Sequence, residues 1–347
     1  MKTIFSYFQL LYFILLSTTI NAQTSTGHYS INKWKIDGDG GWDLLAVDEN
    51  AQTLYISHGN IVQAINIKTS QVRGAIPDTK GVHAIALAPD LGKGFISDGR
   101  DTAVTIFKLS DLSVIDKIRV TGTNPDAILY DPFSHKVFAF NGKSNNATVI
   151  EATSGKILAT IPLDGKPELA VSDGAGKVYV NIEDKSNISV INPVTMEVEK
   201  SWPIAPGEEP SGLALDNKNH RLFTVCDNKL MIVMDATDGR VVAKLPIGEG
   251  VDGAAFDPGL KRVYSSNGEG TLTIVQEDDA NHFHVLDNLK TQKGARTIAV
   301  NTTTHHLYLP TADFGVKPEP TTENPHPRAP VAPGSFVILD VQPGSKF

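Results

Sequence analysis

The sequence predicts an all-β chain that folds as a seven-bladed β-propeller, closed by an N-terminal strand that completes the last blade. A small or apolar residue followed by Tyr or Phe recurs every 40 to 44 residues, at positions 54–55, 94–95, 137–138, 178–179, 222–223, 263–264 and 307–308. Each recurrence lies within four short apolar strands separated by polar turns, which is the length of one propeller blade. No segment shows sustained helical periodicity flanked by caps, so almost no helix is expected.

The composition fits one folded domain. The 347 residues are 41% apolar and 20% charged, which is ordinary for a globular protein. The 31 basic and 39 acidic residues give a net charge of −8, which counts against binding to nucleic acid backbones. The single cysteine, Cys226, cannot form an intrachain disulfide or a thiolate zinc site, so stability is expected from packing alone.

The N-terminal segment has a different pattern. Lys2 precedes an apolar run that ends at Leu16, and small and polar residues follow as far as Ala22. This pattern is typical of a secretory signal that is cleaved after Ala22. The run is too short to span a membrane comfortably, and no other stretch approaches the roughly 20 apolar residues of a transmembrane helix. We therefore expect a signal peptide at 1–22, a propeller domain at 23–347 without membrane insertion, and a periplasmic or secreted location.

The remaining strands follow the repeat in order. Third strands are expected at 61–66, 103–108, 147–151, 188–192, 230–235, 272–276 and 336–340. Several end in polar turns that contain glycine, such as residues 235–240, which is typical of β-hairpins. The seventh repeat ends after its third strand, and a lone alternating strand at 29–36 precedes the first repeat. We predict that this strand becomes the outer strand of the last blade and closes the ring.

One connection is much longer than the others. Residues 312–335 join the second and third strands of the seventh blade and contain six prolines. Such a segment cannot form a regular strand ladder and is expected to be extended or polyproline-like. In a propeller this connection lies on the same face as the loops that enter the innermost strands. The insertion is therefore either a lid over the channel mouth or a packed loop without a role in binding.

Two segments of the fourth repeat carry a family resemblance. Residues 177–181 read Lys-Val-Tyr-Val-Asn, and residues 187–192 read Asn-Ile-Ser-Val-Ile-Asn. They resemble the YVTN-type repeat of YncE-like bacterial seven-bladed propellers, and the resemblance extends over nearly the whole chain after residue 22. It implies the propeller fold and export, but gives weaker guidance on chemistry. DNA binding, which has been suggested within that family, fits poorly with an acidic chain.

The repeats also align one residue each at the entrance to the innermost strand. Seven equivalent positions around an axis converge, so these side chains should form a rim at one mouth of the channel. We predict a polar ligand site there, formed by Asp43, His83, Asp126, Glu168, Ser211, Asp252 and Arg296. Crowded carboxylates raise one another's pKa unless a cation or Arg296 compensates them. A hard divalent cation such as Ca²⁺ would suit these oxygens, and a rim of water and hydrogen-bonded side chains is the alternative.

A second set of polar residues lies three positions after each aromatic residue of the second strands. If the loops there contact a ligand on the same face, the contributing residues are His58, Asp98, Asn141 and Asn267. Ordinary hairpin-turn chemistry is the alternative interpretation. A further recurring position is explained by Asx-type turns alone, and it is occupied by Asp48, Asp131, Asp216 and Asp257.

Two functions from different classes fit these residues. The first is a monomeric, exported, non-enzymatic scaffold that binds a small polar molecule, a peptide or a partner surface at the rim. The second is a lactonase-like hydrolase or lyase, which related seven-bladed propellers include, with a rim-bound cation as Lewis acid. In that enzyme His83 or a carboxylate would act as the base. The mixture of Arg and Ser with carboxylates departs from the compact Glu/Asn/Asn/Asp ligand set of such enzymes.

Overall fold

The fold is a ring of seven four-stranded antiparallel sheets, which confirms the predicted seven-bladed β-propeller. The computed structural model describes residues 29–38, 40–322, 327 and 329–344, so the expected signal peptide at 1–22 lies outside the described residues. Within these ranges the helical elements are two 3₁₀ turns, Pro89–Leu91 and Glu183–Lys185. None of the described helices is long and apolar enough to cross a membrane.

The first three blades each contain four consecutive strands, ordered from the channel outward. Blade 1 consists of β2 (Trp42–Asp48), β3 (Thr53–His58), β4 (Ile61–Asn66) and β5 (Gln71–Ile76). Blade 2 consists of β6 (Val82–Ala88), β7 (Lys93–Asp98), β8 (Ala103–Lys108) and β9 (Val114–Arg119). Blade 3 consists of β10 (Pro125–Asp131), β11 (Lys136–Asn141), β12 (Asn146–Glu151) and β13 (Ile157–Pro162).

The next three blades repeat the same order. Blade 4 consists of β14 (Pro167–Ser172), β15 (Val178–Ile182), β16 (Asn187–Asn192) and β17 (Glu197–Pro203). Blade 5 consists of β18 (Pro210–Asp216), β19 (Arg221–Cys226), β20 (Leu230–Asp235) and β21 (Val241–Pro246). Blade 6 consists of β22 (Val251–Asp257), β23 (Arg262–Asn267), β24 (Thr271–Asp279) and β25 (His282–Lys290).

Blade 7 joins the two ends of the chain. It consists of β26 (Ala299–Asn301), β27 (His306–Thr311), β28 (Val337–Pro343) and β1 (Tyr29–Lys35). The N-terminal strand is the outer strand, paired antiparallel with β28 from Tyr29 opposite Pro343 to Lys35 opposite Val337. The predicted closure of the ring is therefore confirmed, and β1 covers the edge of β28 that would otherwise be unpaired.

The apolar core is distributed between neighbouring blades. The seven aromatic residues that reveal the repeat are all buried, and Tyr55 of blade 1 packs against Phe107 of blade 2 with 5.6 Å between ring centroids. Burying a side chain of this kind contributes about 1.5–3 kcal/mol. Because each aromatic residue supports the packing between blades, the repeat in the sequence reports the core directly.

The innermost strands share an irregularity that shapes the channel mouth. In β2, Trp42 pairs with His58, and pairing resumes only at Leu45 opposite Ile56. Similar register shifts occur near the start of β6, β10, β14, β18 and β22. A bulge interrupts the ladder and re-aims the side chains within it. The second residue of each of these strands is thereby released from the ladder at the mouth.

Candidate functional site

The structure brings all seven predicted rim residues together at one mouth of the channel. In blades 1 to 6 the rim residue is the second residue of the innermost strand, inside the bulge. Arg296 differs, because β26 begins only at Ala299 and Arg296 precedes it in irregular backbone. One cavity of about 300 Å³ is lined by Asp43, His83, Asp126, Glu168, Ser211, Asp252 and Arg296.

Contacts between blades fix the backbone of the rim. The Ser97 hydroxyl of blade 2 donates to the carbonyl oxygen of Asp126 in blade 3, at 2.6 Å. The Ser266 hydroxyl of blade 6 donates to the carbonyl oxygen of Arg296 before blade 7, also at 2.6 Å. These bonds cross the blade boundaries, so the rim side chains project from a backbone that is held on both sides. A site supported in this way is preorganised for a ligand.

Five rim residues form a chain in which acidic and basic side chains alternate. Arg296 Nε lies 2.9 Å from Asp252 Oδ2, and Arg296 Nη2 lies 3.2 Å from Asp43 Oδ1. His83 Nδ1 lies 2.7 Å from Asp43 Oδ2 and 3.3 Å from Asp126 Oδ1. The charged side chains on this side of the rim are therefore paired with one another.

The other side of the rim is more acidic. Glu168 Oε1 lies 2.6 Å from Lys166 Nζ, which also contacts the carboxylate of Glu183. Glu209 and Asp227 line the cavity as well. The whole cavity wall holds seven carboxylates against three basic side chains, those of Lys166, Arg296 and His83.

The sequence prediction missed four of these wall residues, although the repeat alignment contains a signal for them. Lys166 and Glu209 lie two residues before the rim position of their blades, where four other blades have Gly41, Gly81, Gly250 and Gly294. Glu183 and Asp227 directly follow the second strand, where four other blades have Gly59, Gly99, Gly142 and Gly268. Charged side chains that replace glycine at repeat positions therefore mark the acidic side of the mouth.

Two carboxyl groups of the cavity have raised pKa values, chiefly because they are buried. Burial raises the pKa of Glu168 to about 8, although the contact with Lys166 opposes the shift. Burial also raises the pKa of Asp252 to about 6, against the opposing charge of Arg296. Neither neighbouring cation offsets the effect of burial, and a positively charged group that entered the cavity would favour the ionised form of both carboxyl groups.

His83 occupies the centre of the paired side. Burial lowers its pKa, but the hydrogen bond to Asp43 and the charges of Asp126 and Asp43 outweigh burial and leave the pKa above its usual value. The ring lies against the backbone of Gly99, where a Cβ atom would stand 2.6 Å from Nε2. Glycine at that position therefore makes room for the imidazole.

The second predicted set does not reach the cavity. His58, Asp98, Asn141 and Asn267 are each at most 1% exposed, whereas the charged rim side chains are between 12% and 32% exposed. Their polar atoms bond within the blades, as shown by Asp98 Oδ2 at 2.5 Å from the Thr105 hydroxyl and Asn141 Nδ2 at 3.0 Å from the Thr148 hydroxyl. These side chains join the second strand to the third, and the structure separates them from the rim.

The proline-rich insertion flanks the mouth. Phe314 and Val331 form an isolated bridge at its base. Its described residues line a second cavity of about 1120 Å³, which shares Asp252 and Arg296 with the rim cavity. None of the described insertion residues lines the rim cavity itself. A lid over the mouth therefore stays a prediction.

Within the described residues one group of three rim residues could hold a metal ion, Asp43, His83 and Asp126, whose ligand atoms lie within 4.8 Å of one another.

Two other polar candidates from the sequence lie away from the rim. His305 instead pairs with Asp257 on the opposite face. Cys226 is fully buried, and burial raises the pKa of its thiol to about 12.

Comparisons with known proteins agree with this architecture. No model of a known protein family matches the sequence. The chain is 24% identical to the uncharacterized protein YncE of Salmonella typhi over 149 residues, which are 41% of this chain and 42% of that relative. The matched region thus spans less than half of the relative's length.

Solved propellers share the fold at low sequence identity. A chain of the Kuenenia stuttgartiensis hydrazine synthase structure gives a TM-score of 0.68 at 17% identity and covers 79% of this chain and 94% of its own. A chain of the mitotic checkpoint complex gives 0.70 at 12% identity, covering 89% and 96%. The U3-55K structure gives 0.72 at 11% identity, covering 89% and 98%. The fold is that of a seven-bladed β-propeller, and the partial match supports a resemblance to YncE-like proteins.

Proposed function

We propose that this chain is an exported binding scaffold that takes a small polar ligand with a cationic group into the channel mouth. One observation carries the proposal: unlike polar side chains converge in a single cavity whose carboxylates outnumber its basic groups. The cavity volume of about 300 Å³ lies at the lower end of ligand pockets, which run from about 300 to 1,000 Å³.

The geometry assigns different roles to the two sides of the rim. Glu168 of the acidic side and Asp252, at the end of the paired chain, lie on either side of the neutral Ser211 in blade order. An ammonium or guanidinium group between these two side chains would favour their ionised form and donate charge-assisted hydrogen bonds to them, which are stronger than neutral ones. On the paired side, Arg296 and His83 offer donors to a carboxylate or hydroxyl group of the same ligand.

Thermal shift and calorimetry with primary amines, guanidines and basic amino acids test this proposal. A ligand that binds the folded state raises the melting temperature, and its stabilisation grows with the logarithm of one plus its concentration over Kd. We expect Glu168→Gln and Asp252→Asn to weaken binding of the best probe by at least about tenfold. The matched control is Glu197→Gln, because Glu197 is an exposed carboxylate on the outer strand β17. This variant should leave the affinity for the probe unchanged. If Glu168→Ala and Arg296→Ala left the binding of every probe unaltered, the rim would not be the site.

Export is proposed from the N-terminal sequence alone. The basic residue, the apolar run and the small residues up to Ala22 support a cleaved signal. N-terminal sequencing of protein recovered from outside the cytoplasm should begin at Gln23. A mature chain that kept Met1 would contradict export by this route.

The second candidate is a metal-dependent hydrolase. The observation that favours it is the group formed by Asp43, His83 and Asp126, which offers two carboxylate oxygens and one imidazole nitrogen to a single cation. Elemental analysis of purified protein separates the two candidates. A stoichiometric metal that His83→Ala abolishes would favour the hydrolase, whereas amine binding without metal would favour the scaffold.

A further inference from the structure

A third cavity, distinct from the rim cavity and from the cavity beside the insertion, lies between blades 7 and 1, where the ring closes, on the side of the molecule away from the mouth. Its origin lies in one repeat position of the outer strands. Five blades carry an aliphatic residue there, Ile76, Ile118, Ile161, Leu245 and Leu289. Blades 4 and 7 carry Trp202 and Trp34. Each indole lies beside the aromatic residue of its own second strand, Tyr179 at 6.0 Å and Tyr308 at 5.2 Å between ring centroids.

Trp202 is sealed by the next blade. It is only 8% exposed. The turn between the third and fourth strands of blade 5 lies on its ring, because a Cβ atom at Gly239 would stand 2.3 Å from Trp202 Cγ. Gly239 also has a φ of +79°, which favours glycine. The indole of blade 4 therefore serves packing between blades.

Trp34 is not sealed in this way. The corresponding turn of blade 1 has Ser70 at the position of Gly239, four residues after the end of the third strand in each blade. Ser70 keeps a positive φ of 54° and lines, together with Trp34, an open cavity. Trp34 is partly exposed and lines a cavity of about 470 Å³ between blades 7 and 1. We call this cavity the closure cleft.

The rest of the closure cleft is polar and almost charge-compensated. Asn32 and Thr69 are exposed hydrogen-bonding side chains on opposite walls. At the base, His306 Nδ1 lies 2.9 Å from Asp340 Oδ1, and Gln342 Nε2 donates to Asp340 Oδ2 at 2.6 Å. Asp340 is only 3% exposed, so these contacts fix the orientation of the polar groups that line the cleft.

We propose that the closure cleft binds a saccharide. A sugar ring presents an apolar C–H face that can stack on an indole, and hydroxyl groups at its edge that exchange hydrogen bonds with amides and hydroxyls. The cleft offers this combination in Trp34, Asn32 and Thr69, and its carboxylate is already paired with His306. Its volume lies within the range of about 300–1,000 Å³ typical of ligand pockets. The proposal does not depend on what binds at the rim.

Fluorine NMR tests the proposal, because the sequence contains three tryptophans in three different settings. Protein labelled with 5-fluorotryptophan is titrated with maltohexaose, cellohexaose and chitohexaose to millimolar concentrations. We expect at least one of these oligosaccharides to shift the Trp34 resonance in a saturable way while the Trp202 resonance stays fixed. If none shifts the Trp34 resonance, or if only the Trp42 resonance moves, the assignment of a saccharide to the closure cleft is wrong.

The variants that test the cleft change exposed side chains, so that the closing strand β1 should remain paired with β28. Thr69→Trp should fill the cleft and abolish the Trp34 shift, and Asn32→Ala should weaken binding about threefold to tenfold. Lys200→Ala is the matched control, because Lys200 precedes Trp202 by two residues as Asn32 precedes Trp34. It should leave the affinity unchanged. Full saccharide binding by Thr69→Trp would overturn the proposal.

Discussion

The two faces of the ring use equivalent repeat positions in opposite ways. On the face away from the mouth, the innermost strand ends in the same residue in four blades, Asp48, Asp131, Asp216 and Asp257. At the mouth, the seven rim positions carry five different residue types, with Asp at three of them. A symmetric scaffold thus keeps one residue type where the fold requires it and varies the residue where the fold does not.

The recurring aspartates show what the fold requires. Asp257 Oδ1 accepts from the backbone N–H of Gly259 at 2.9 Å, and its Oδ2 lies 2.7 Å from His305 Nδ1 in blade 7. Asp131 accepts from the N–H of Ser134 at 2.9 Å and from the Ser172 hydroxyl in blade 4. These two carboxylates therefore close their own turns and also reach the next blade. The Asx-turn interpretation of the sequence described only the first of these contacts.

The largest expected difference between the faces is in stability. Asp257→Ala removes a fully buried carboxylate and leaves its turn and His305 without their partner. We expect a loss of about 2–4 kcal/mol in the free energy of unfolding. Urea unfolding followed by tryptophan fluorescence measures this change.

Asp252→Asn is the matched variant at the mouth. It changes a carboxylate whose pKa burial has already raised to about 6, and it retains a hydrogen-bonding group beside Arg296. We expect a change below about 1 kcal/mol. If Asp252→Asn destabilised the ring as much as Asp257→Ala, the rim would be a structural feature like the opposite face.

A second prediction concerns the dependence of stability on pH. The folded state holds the proton of Glu168 up to a pH of about 8, compared with 4.5 for an unperturbed glutamate. Its contribution to stability is therefore complete below about pH 4.5 and is lost as the pH rises through about 8. Relative to Glu168→Gln, the natural chain should lose on the order of 2 kcal/mol between these limits.

Urea midpoints at pH 5 and pH 8 measure this difference. Glu197→Gln on the exposed outer strand is the control and should follow the natural chain. A natural chain and a Glu168→Gln variant with parallel pH profiles would show that Lys166 compensates Glu168 fully. The acidic side of the mouth would then have no need of a cationic ligand.

The fold could be predicted because repetition reports packing. The aromatic residue of each second strand is buried between blades, so its recurrence counts the blades. The rim could be predicted as well, because the entrance of each innermost strand faces the axis in a ring. The sequence did not reveal the bulges, which depend on pairing between strands and release the rim side chains from the ladder.

The second predicted set lies away from the mouth cavity for a physical reason. A spacing of three residues from an aromatic residue places Asp98 and Asn141 at a strand end, but it does not show whether the side chain points to the mouth or into the blade. The structure shows that they point into the blade, onto Thr105 and Thr148 of the third strand. The sequence also could not predict that Trp202 is covered while Trp34 is partly exposed, because this difference depends on a turn of the neighbouring blade.

The smallest expected effect is on the titration of His83. Its pKa lies above the usual value because the hydrogen bond to Asp43 and the nearby charges outweigh burial. Asp43→Asn removes the closer charge, at 2.7 Å, and should lower the pKa of His83. Asp126→Asn acts from 3.3 Å and should lower it by less.

NMR titration of the imidazole Cε1–H resonance measures these shifts. Asp279→Asn is the control, because Asp279 contacts His282 on the outer edge of blade 6 and should leave His83 unaltered. Since the pKa of His83 is raised, its contribution to stability is present below about pH 6.5 and is lost as the pH rises through its folded value. If Asp43→Asn left the pKa of His83 unchanged, the hydrogen bond between His83 and Asp43 would not form in solution. The description of the paired side of the rim would then be wrong.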